Sequence, residues 1–418
     1  MKKLILILFA FSLTMGATGQ DFWETVDNQF YTHSFDMDQN ETIYIGANDT
    51  LNNTKGIFKS EDDGQTWEQM YENDAFDPGV VHCKNDMVYF SDGGKLKRST
   101  NQGQSWNTIY PGTENIDCVL HGITGNIYLG SDALCRSADD GQTWDTLLYP
   151  APYIEYFKDI LQISEDTLLA ASINWVGDGG IYRSTNGGES WDWVLQDCKV
   201  TTLASTSDNI IFSGTYMCYD FGGNINRSND QGQNWEVMLD SLMVESIAIT
   251  PDNVIYFGRN TEGINNKGVY RSFDYGETWE PIESEIITQS THVPKVKFCP
   301  DGHIYAIASL PGAMNNHYTL CRSYDVLYTS RPNEETDGLT LTARPNPATE
   351  HITFERAKTE KAALLRLYDT KGMIVREVRL TKGQKTIEWP VTSWPTGIYF
   401  ARLVKHGKAM GEAKFVVR

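Results

Sequence analysis

Four acidic residues and a group of aromatic residues lie in polar segments of the chain, where they could act on or bind a glycan. A glycoside hydrolase needs two carboxyl groups that face each other across the scissile bond, about 5 to 9.5 Å apart. Aromatic rings add large apolar faces with polar edges, which suit a sugar or a peptide. The candidate catalytic carboxylates are Asp178, Asp220, Glu262 and Glu155. The candidate ligand-binding residues are Trp175, Tyr216, Tyr219, Phe221, Tyr318, Tyr153, Tyr156 and Arg259.

Other catalytic and metal-binding patterns are missing from the sequence. The chain contains no His-Glu-x-x-His, no Gly-x-Ser-x-Gly, no P-loop and no Cys-x-x-Cys. These are the spacings that place metal ligands, a nucleophile or a phosphate cradle. We therefore expect no metal and no cofactor. A carboxylate pair is the one catalytic arrangement left open, and a binding protein fits the sequence better than an enzyme.

An eight-residue phrase, Ser-x-Asp/Asn-x-Gly-x-Thr/Ser/Asn-Trp, occurs six times. Its first copy runs from Ser60 to Trp67, and successive serines are 39, 38, 47, 44 and 44 residues apart. Repeats of this length are typical of propellers, solenoids and arrays. The Asp or Asn can bond turn amides and the Gly permits a positive φ, so the phrase predicts a hairpin turn with a structural role. Its key residues are Asp62, Asn101, Asp139, Asn186, Asp230, Asp274, Trp67, Trp106, Trp144, Trp191, Trp235 and Trp279.

Each repeat contains four short runs of β-branched and aromatic residues bounded by Gly, Asp and Asn, which predict four strands. Seven such units follow one another, although the seventh ends at Arg322-Ser323-Tyr324-Asp325 without the Gly and Trp. Near the N-terminus, Trp23-Glu24 resembles the last strand of a unit, yet no phrase precedes it. An N-terminal strand that completes the last unit would close a ring. We therefore predict an all-β fold with a seven-bladed β-propeller over residues 20–330.

The phrase resembles the Asp-box, or BNR repeat, which sialidases, sortilin-type receptors, xyloglucanases and photosystem assembly propellers share. The segment from Gly179 to Trp191 is most similar to the last three groups. The resemblance implies that the boxes lie on the periphery of the propeller, away from the mouth where ligands bind.

The arginines argue against a sialidase, a family that holds its substrate carboxylate with three arginines, one of them in an Arg-Ile-Pro motif. No Arg-Ile-Pro occurs in this sequence. Six of the seven propeller arginines directly precede a box serine or its remnant, so we expect a peripheral ladder, and only Arg259 departs from the pattern. The six are Arg98, Arg136, Arg183, Arg227, Arg271 and Arg322.

The loops between second and third strands, and those between blades, lie on the face opposite the box turns, because antiparallel strands alternate in direction. The loops between second and third strands are short in blades 2 and 3 and long in blades 4 to 7. The candidate residues come from these long loops and from the connection at 150–157. We predict a lopsided mouth rich in aromatic residues.

The N-terminus begins with Met1-Lys2-Lys3, continues with an apolar run and ends in small residues at Gly19, which predicts a signal peptide over residues 1–19. No later segment is apolar enough to span a membrane. Residues 20–338 carry 18 Lys and Arg against 48 Asp and Glu, and this acidic balance argues against nucleic acid as a partner. All seven cysteines lie in this acidic part, and their odd number leaves at least one unpaired.

A polar linker is predicted at 331–338, and residues 339–418 contain seven short runs that predict a small Ig-like β-sandwich. This part is basic, with 15 Lys and Arg against 7 Asp and Glu. Arg344-Pro-Asn-Pro, a hairpin around Lys371-Gly372 and Pro395-Thr-Gly resemble, in this order, the type A sorting domain of the type IX secretion system in Bacteroidetes. The resemblance implies recognition by the type IX translocon, export through the periplasm, and a final location in the medium or on the outer cell surface.

Together these patterns predict an exported, monomeric β-propeller that binds a glycan or an extracellular protein through the face opposite the boxes. Two alternatives stay open. A glycoside hydrolase would act on extracellular polysaccharide through a carboxylate pair from the same loops. A structural or adhesion protein would bind no small ligand.

Overall fold

The structure is a computed structural model that describes residues 22–418 apart from a set of short segments. The segments outside the description are 28, 73–77, 85, 150–154, 175–178, 197, 219–221, 261–267, 283–286, 288–291, 310–317, 324–340, 357–362, 369–373, 381–383 and 406–407. The described residues form strands and turns, with no helix among them. Seven four-stranded sheets lie within residues 23–323, and two further sheets follow after residue 340.

Each of the seven sheets, which we call blades 1 to 7, is antiparallel. The chain begins with β1 (Trp23–Thr25), which belongs to blade 7. Blade 1 consists of β2 (Phe30–Met37), β3 (Ile43–Asp49), β4 (Thr54–Ser60) and β5 (Glu68–Glu72). Blade 2 consists of β6 (Pro78–Lys84), β7 (Met87–Asp92), β8 (Lys95–Ser99) and β9 (Asn107–Pro111). Blade 3 consists of β10 (Cys118–His121), β11 (Ile127–Gly130), β12 (Leu134–Ser137) and β13 (Asp145–Leu148). Blade 4 consists of β14 (Glu155–Gln162), β15 (Leu168–Asn174), β16 (Gly180–Ser184) and β17 (Asp192–Leu195), and blade 5 of β18 (Cys198–Ser205), β19 (Ile211–Cys218), β20 (Ile225–Ser228) and β21 (Glu236–Leu239). Blade 6 consists of β22 (Met243–Ile249), β23 (Ile255–Asn260), β24 (Val269–Ser272) and β25 (Glu280–Pro281). Blade 7 consists of β26 (Lys295–Phe298), β27 (Ile304–Ser309) and β28 (Tyr318–Ser323), together with β1.

The core lies between neighbouring blades, because alternate residues of a strand face opposite sides of its sheet. In β3, Ile43 and Ile45 pack with Tyr305 of blade 7, whereas Tyr44 packs with Phe90 of blade 2. Each blade therefore buries both of its faces, which explains why the second strands read as unbroken apolar runs. Burial of one such side chain contributes about 1.5 to 3 kcal/mol. The predicted seven-bladed propeller is confirmed.

The ring closes between the two ends of the propeller. β1 pairs with β28 in a register that places Trp23 opposite Ser323, so the N-terminal strand is the outermost strand of blade 7. The side chain of Trp23 is buried in the core of that blade. On the other side of the joint, β2 of blade 1 contacts β27 and β28. The first strand of the chain thus completes the last blade.

An ion pair reinforces this closure on the inner side of the ring. Lys297 of β26 lies 2.5 Å from Asp36 of β2, measured between Nζ and Oδ1. Asp36 also accepts the backbone N–H of Met37 and that of Cys83 in blade 2. Burial disfavours the carboxylate, but the charge of Lys297 and the contact with His82 outweigh burial, so the pKa of Asp36 lies far below its usual value.

The first strands of successive blades contact one another around the centre of the ring. Several of them contain a β-bulge, and a side chain next to the bulge accepts a backbone N–H from the following blade. Val81 N donates to Ser34 Oγ over 2.7 Å, and Leu203 N donates to Asp159 Oδ2 over 2.8 Å. These bonds satisfy backbone groups that no ladder partner reaches.

The cysteines are mostly small buried side chains rather than crosslinks. Those that are free and buried are Cys83, Cys118, Cys135, Cys299 and Cys321. Cys198, at the start of β18, is disulfide-bonded, and the strand register places Cys218 directly opposite it. Cys135 and Cys321, each directly before an Arg-Ser pair, occupy equivalent positions in their blades and form no disulfide with each other.

The C-terminal part forms two sheets around one core. One sheet contains β29 (Leu341–Arg344), β30 (His351–Arg356) and β33 (Thr386–Pro390); the other contains β32 (Ile374–Leu380), β31 (Ala363–Tyr368), β34 (Gly397–Lys405) and β35 (Lys408–Val417). Phe354 of the first sheet packs against Phe415 of the second, with ring centroids 5.3 Å apart. The seven strands agree in number with the seven predicted runs.

Candidate ligand-binding face

Each box is a hairpin turn held by its own side chains. In blade 1, Asp62 accepts three hydrogen bonds: from Ser60 Oγ at 2.9 Å, Thr66 N at 2.8 Å and Thr66 Oγ1 at 2.6 Å. Gly64 N donates to Ser60 Oγ over 2.9 Å, and Trp67 Nε1 donates to Gly64 O over 3.0 Å. Gly64 has a φ of 85°, a conformation in which a side chain is disfavoured. Both oxygens of the box carboxylate are occupied within the turn.

The same turn recurs in blades 2 to 6, and it perturbs the aspartates. Hydrogen bonds from Thr143 lower the pKa of Asp139 to about 2, and those from Asn234 lower the pKa of Asp230 to about 2. In the second box the amide of Asn101 takes this place: Asn101 Oδ1 accepts from the Ser105 N–H and Asn101 Nδ2 donates to Ser105 Oγ, each over 3.0 Å.

Arginines tie the boxes of neighbouring blades together. In blades 2 to 5 the arginine before the box serine reaches the carbonyl of the residue before the box glycine in the next blade. Arg136 Nη1 donates to Gly187 O over 3.0 Å, and Arg183 Nε donates to Gln231 O over 2.9 Å. Arg98 of blade 2 and Arg227 of blade 5 make the equivalent contacts with the boxes of blades 3 and 6. The expected peripheral ladder is therefore present from blade 2 to blade 6.

The opposite end of the ring, which we call the mouth face, contains a different group of polar residues. The mouth cluster consists of Glu245, Asn260, His292 and Tyr318, from blades 6 and 7. His292 Nδ1 lies 2.6 Å from the Tyr318 hydroxyl, and His292 Nε2 lies 3.4 Å from Glu245 Oε1. Asn260 Nδ2 donates to the same Glu245 oxygen over 3.4 Å. The side chains of His292 and Glu245 are 25% and 20% exposed, so ligand can reach them.

The strands position the mouth cluster through irregular backbone. The register of β22 against β23 shifts between Val244 and Ser246, which leaves Glu245 as the extra residue of a β-bulge. Bulges redirect side chains and occur often near functional sites. His292 precedes β26 and forms an isolated bridge with Asn260, the last residue of β23. Three separate segments of two blades therefore converge on one carboxylate.

His292 lies between the Glu245 carboxylate and the Tyr318 hydroxyl. The tautomer of its ring sets whether Nδ1 donates to the Tyr318 hydroxyl or accepts from it. Burial and the charge of Glu245 raise the pKa of Tyr318, which keeps the phenol protonated. The cluster thus offers a carboxylate acceptor, an amide and a neutral hydroxyl.

Arg259 lies next to Asn260 on β23 but differs from every residue of the ladder. It is 5% exposed, and its guanidinium carbon lies 5.8 Å from the ring centroid of Tyr270. Tyr270 stacks on Phe257 with centroids 5.1 Å apart. The backbone N–H of Arg259 donates to Gly268 O. Within the described part of the chain, Arg259 Nε has no hydrogen-bond acceptor.

The sequence-predicted site residues fall into two groups. Tyr318 and Arg259 lie at the mouth face in blades 7 and 6, while Tyr216 and Tyr156 are half-buried in β19 and β14. Glu155 begins β14, opposite Asn174, and its side chain is outside the description. The others lie outside the described residues: Asp178, Asp220, Glu262, Trp175, Tyr219, Phe221 and Tyr153.

Sequence reasoning missed three members of the mouth cluster: Glu245, Asn260 and His292. His292 was one of eight scattered histidines without a spacing motif, and Glu245 was one of many acidic residues. The signal for Glu245 was its place beside Met243-Val244 at the start of a first strand, but the bulge that turns it toward His292 leaves no pattern in sequence.

Among the described residues, no helix has the length and apolarity to cross a membrane.

Comparisons with known proteins agree with this architecture. Residues 343–418 match the family described as secretion system C-terminal sorting domain. No curated protein sequence matches the chain.

Solved structures share the fold at low sequence identity. PorZ, a bacterial surface component of the type IX secretion system of Porphyromonas gingivalis, is similar with a TM-score of 0.53 and 14% identity. That match covers 94% of this chain and 60% of PorZ, so the chain spans less than two thirds of that protein. YCF48 bound to D1 peptide matches with a TM-score of 0.53 and 16% identity, over 74% of this chain and 99% of YCF48.

An enzyme with the same fold is also similar. Oligogalacturonate lyase from Vibrio parahaemolyticus matches with a TM-score of 0.50 and 9% identity, over 73% of this chain and 94% of the lyase. At these identities the likeness shows the fold alone. Residues 343–418 match the secretion system C-terminal sorting domain, and the chain is a β-propeller protein with a sorting tail that indicates delivery by the type IX secretion system to the cell surface or beyond it.

Proposed function

We propose that this exported propeller binds an extracellular glycan or protein through its mouth face and catalyses no reaction on it. The observation that carries the proposal is the convergence of Glu245, His292 and Tyr318 at the mouth, while the box aspartates are occupied in their own turns. A few convergent polar groups that fix the orientation of a ligand are typical of binding sites.

The chemistry of the mouth cluster suits a ligand rich in hydroxyl groups. Glu245 can accept hydrogen bonds from two hydroxyls, and Asn260 can both donate and accept. The neutral hydroxyl of Tyr318 adds one more donor or acceptor beside an aromatic face. The half-buried Tyr216 and the predicted aromatic residues of blades 4 and 5 extend this surface in the proposal.

The proposal includes the organisation of the whole chain. Residues 1–19 are a signal peptide, 20–330 a monomeric propeller, 331–338 a linker and 339–418 the domain that the type IX translocon recognises. The Asp boxes and the arginine ladder are scaffold, since their side chains bond within and between turns. The other reading, a glycoside hydrolase, depends on Asp178, Asp220 and Glu262, and stays a prediction because these residues lie outside the description.

A glycan array probed with the full chain tests the proposal. We expect binding to a limited set of extracellular glycans, and we expect Tyr318→Phe and Glu245→Gln to weaken it at least tenfold, since each removes a hydrogen bond to ligand. The matched control is Tyr71→Phe, which also removes a bonded hydroxyl, here the one that donates to Asp92 over 2.8 Å. It should bind as the wild type does.

Two outcomes would count against the proposal. If the array and a parallel screen of extracellular proteins both show no binding, the propeller is the structural protein of the second alternative. If binding occurs but tolerates Tyr318→Phe and Glu245→Gln, the ligand lies elsewhere than on the mouth cluster.

A further inference from the structure

A cavity of about 250 Å³ lies at the joint between the first and last blades, on the side of blade 1 that faces blade 7. All of its lining residues belong to residues 29–69. Trp67 and Phe30 contribute to the apolar part of its wall, with ring centroids 5.4 Å apart. We call it the joint cavity. No residue of the mouth cluster lines it, so the two sites are separate.

At the joints that follow blades 1 to 5, the outermost strand covers the box tryptophan of the next blade with an apolar side chain. This side chain belongs to the fourth residue after the strand's own tryptophan, and it packs into the same core cluster as the next tryptophan. The five residues are Tyr71, Tyr110, Leu148, Leu195 and Leu239. The counterpart in blade 6, Glu283, lies outside the described residues.

The closing strand of blade 7 departs from this rule. Counted in the same way from Trp23, the fourth residue is Asp27. Its carboxylate turns back and accepts the backbone N–H groups of Gln29 and Phe30, each over 2.9 Å. This position therefore places no apolar side chain over Trp67. The joint cavity is the space that results at the closure of the ring.

Two amides in the wall of the joint cavity use their nitrogens within the chain. Gln65 Nε2 donates to Asp62 O over 3.0 Å, and Gln69 Nε2 donates to Lys55 O over 3.2 Å. Neither amide oxygen accepts a hydrogen bond from the described residues. A side-chain amide oxygen has two lone pairs. Both residues therefore offer acceptors to a ligand that brings hydroxyl or N–H donors.

Asp49 is the only charged residue in the lining of the joint cavity, and its carboxylate is occupied. Gln29 Nε2 and Asn52 Nδ2 donate to its Oδ2 over 2.9 and 2.8 Å, while the N–H groups of Leu51 and Asn52 reach its Oδ1. Burial disfavours the carboxylate, but these bonds outweigh burial, so the pKa of Asp49 lies below its usual value. No lysine or arginine lines the cavity, which argues against an anionic ligand.

We propose that the joint cavity binds one neutral hexopyranose ring, at a site additional to the mouth face. The indole of Trp67 donates its N–H to Gly64 O, so its polar edge is satisfied and its ring offers an apolar wall. The C–H groups of a pyranose can pack on that wall. Its hydroxyls can donate to the oxygens of Gln65 and Gln69 and bond with the hydroxyl of Thr54, which also lines the cavity.

Size and hydrogen-bond polarity favour a single sugar over other neutral ligands. Pockets for drug-sized molecules have volumes of about 300 Å³ and more, so the joint cavity suits one ring rather than a chain of rings. A nucleobase has few N–H donors and would leave most of the wall acceptors without a partner. A hexopyranose carries a hydroxyl on almost every carbon, and it therefore matches a wall of acceptors.

Ligand-observed NMR titrations of the full chain with the methyl α-pyranosides of glucose, galactose and mannose test the proposal. At least one should bind with a dissociation constant of about a millimolar or weaker, because a single ring makes few contacts. Gln65→Ala should weaken it about fivefold, since one acceptor is lost. The matched control is Gln142→Ala in the box of blade 3, whose Nε2 donates to Asp139 O over 3.1 Å in the same way. It should bind as the wild type does.

A second variant fills the joint cavity. Thr54→Phe places a ring on the side of β4 that lines it, and we expect this change to abolish binding of the monosaccharide. Glycans that bind the mouth face should keep their affinity for Thr54→Phe, which also shows that the variant is folded. If it does not fold, the comparison of Gln65→Ala with Gln142→Ala decides.

Several results would overturn the inference. Absence of binding by all three pyranosides, well above millimolar concentration, contradicts it, and so does binding that Gln65→Ala leaves unchanged. Binding that Tyr318→Phe abolishes would assign the sugar to the mouth cluster instead. Glucuronate that binds as tightly as the glucoside would contradict a neutral ligand. The proposed function is tested separately, because the mouth variants and the array do not involve the joint cavity.

Discussion

Lys297 of blade 7 and Asp36 of blade 1 form an ion pair on the inner side of the ring, with 2.5 Å between Nζ and Oδ1. At the rim, Trp23 of β1 closes the same joint by pairing with the last strand of blade 7. Two contacts therefore close the ring: the Lys297–Asp36 ion pair on the inner side and the pairing of β1 with β28 at the rim.

Replacement of Asp36 tests the inner closure. Asp36→Asn leaves Lys297 without its carboxylate, and we expect a loss of about 2 to 4 kcal/mol in the free energy of unfolding. The loss is smaller than for a fully buried pair because Lys297 keeps 36% exposure. Guanidinium titration measures it. Glu277→Gln, which removes the exposed carboxylate partner of Arg227, is the control and should cost no more than about 1 kcal/mol. Equal losses of unfolding free energy in Asp36→Asn and Glu277→Gln would show that the Asp36–Lys297 pair stabilises the fold no more than an exposed ion pair does.

The box aspartates predict how stability falls in acid. Their folded pKa, about 2 for Asp139 and Asp230, lies below the ordinary 3.8. Their contribution is therefore fully present above about pH 4 and is lost as the pH falls toward 2, since the unfolded state then binds more protons. The double variant Asp139→Asn, Asp230→Asn should show a shallower acid slope in urea titrations between these values. The natural boxes at Asn101 and Asn186 show that the amide fits the turn. Identical slopes would contradict the account.

Lys295 predicts that stability also rises with pH in alkali. Burial and the neighbouring Lys297 lower its pKa from 10.5 to about 8. Below pH 8 the folded state bears the full penalty for that charge, and stability rises as the pH moves from 8 to 10.5. Lys295→Met should be more stable than the wild type at pH 7, with a difference that shrinks across this window. A difference that stays constant from pH 7 to 10.5 would refute the assignment to Lys295.

The arginine ladder predicts a graded series. Arg136→Gln and Arg183→Gln each remove a charge-assisted bond to a carbonyl of the next blade, and each should cost about 1 to 2 kcal/mol in unfolding free energy. Arg271 precedes the last full box, has no box in blade 7 to reach, and pairs with Glu280 in its own blade. Arg271→Gln should cost less than 1 kcal/mol. Equal costs at the three positions would show that the ladder does not couple the blades.

Much of the fold was predictable because its determinants are local and repeated. The Ser-x-Asp-x-Gly phrase encodes a turn whose bonds span only four residues, so each copy marks one blade. The arginine ladder was predictable for the same reason, since each arginine has a fixed place before the serine. The role of Trp23 followed from its likeness to the final strand of the other units.

Only Tyr318 of the mouth cluster was predictable, because the geometry of the cluster depends on packing between blades. Tyr318 was expected at the mouth from loop length and residue type. Glu245 turns toward His292 through a bulge, and a bulge changes the register of two strands without altering their apolar pattern. His292 reaches the cluster through a bridge to Asn260, some thirty residues earlier in the chain.

Hydrogen–deuterium exchange on the full chain, with and without the tightest glycan from the array, tests the central claim most directly. The account predicts that the ligand slows exchange at the mouth ends of β22, β23 and β28 and around His292, and leaves the box turns unchanged. Slower exchange confined to the box turns, with no change at Glu245, Asn260 or Tyr318, would contradict it.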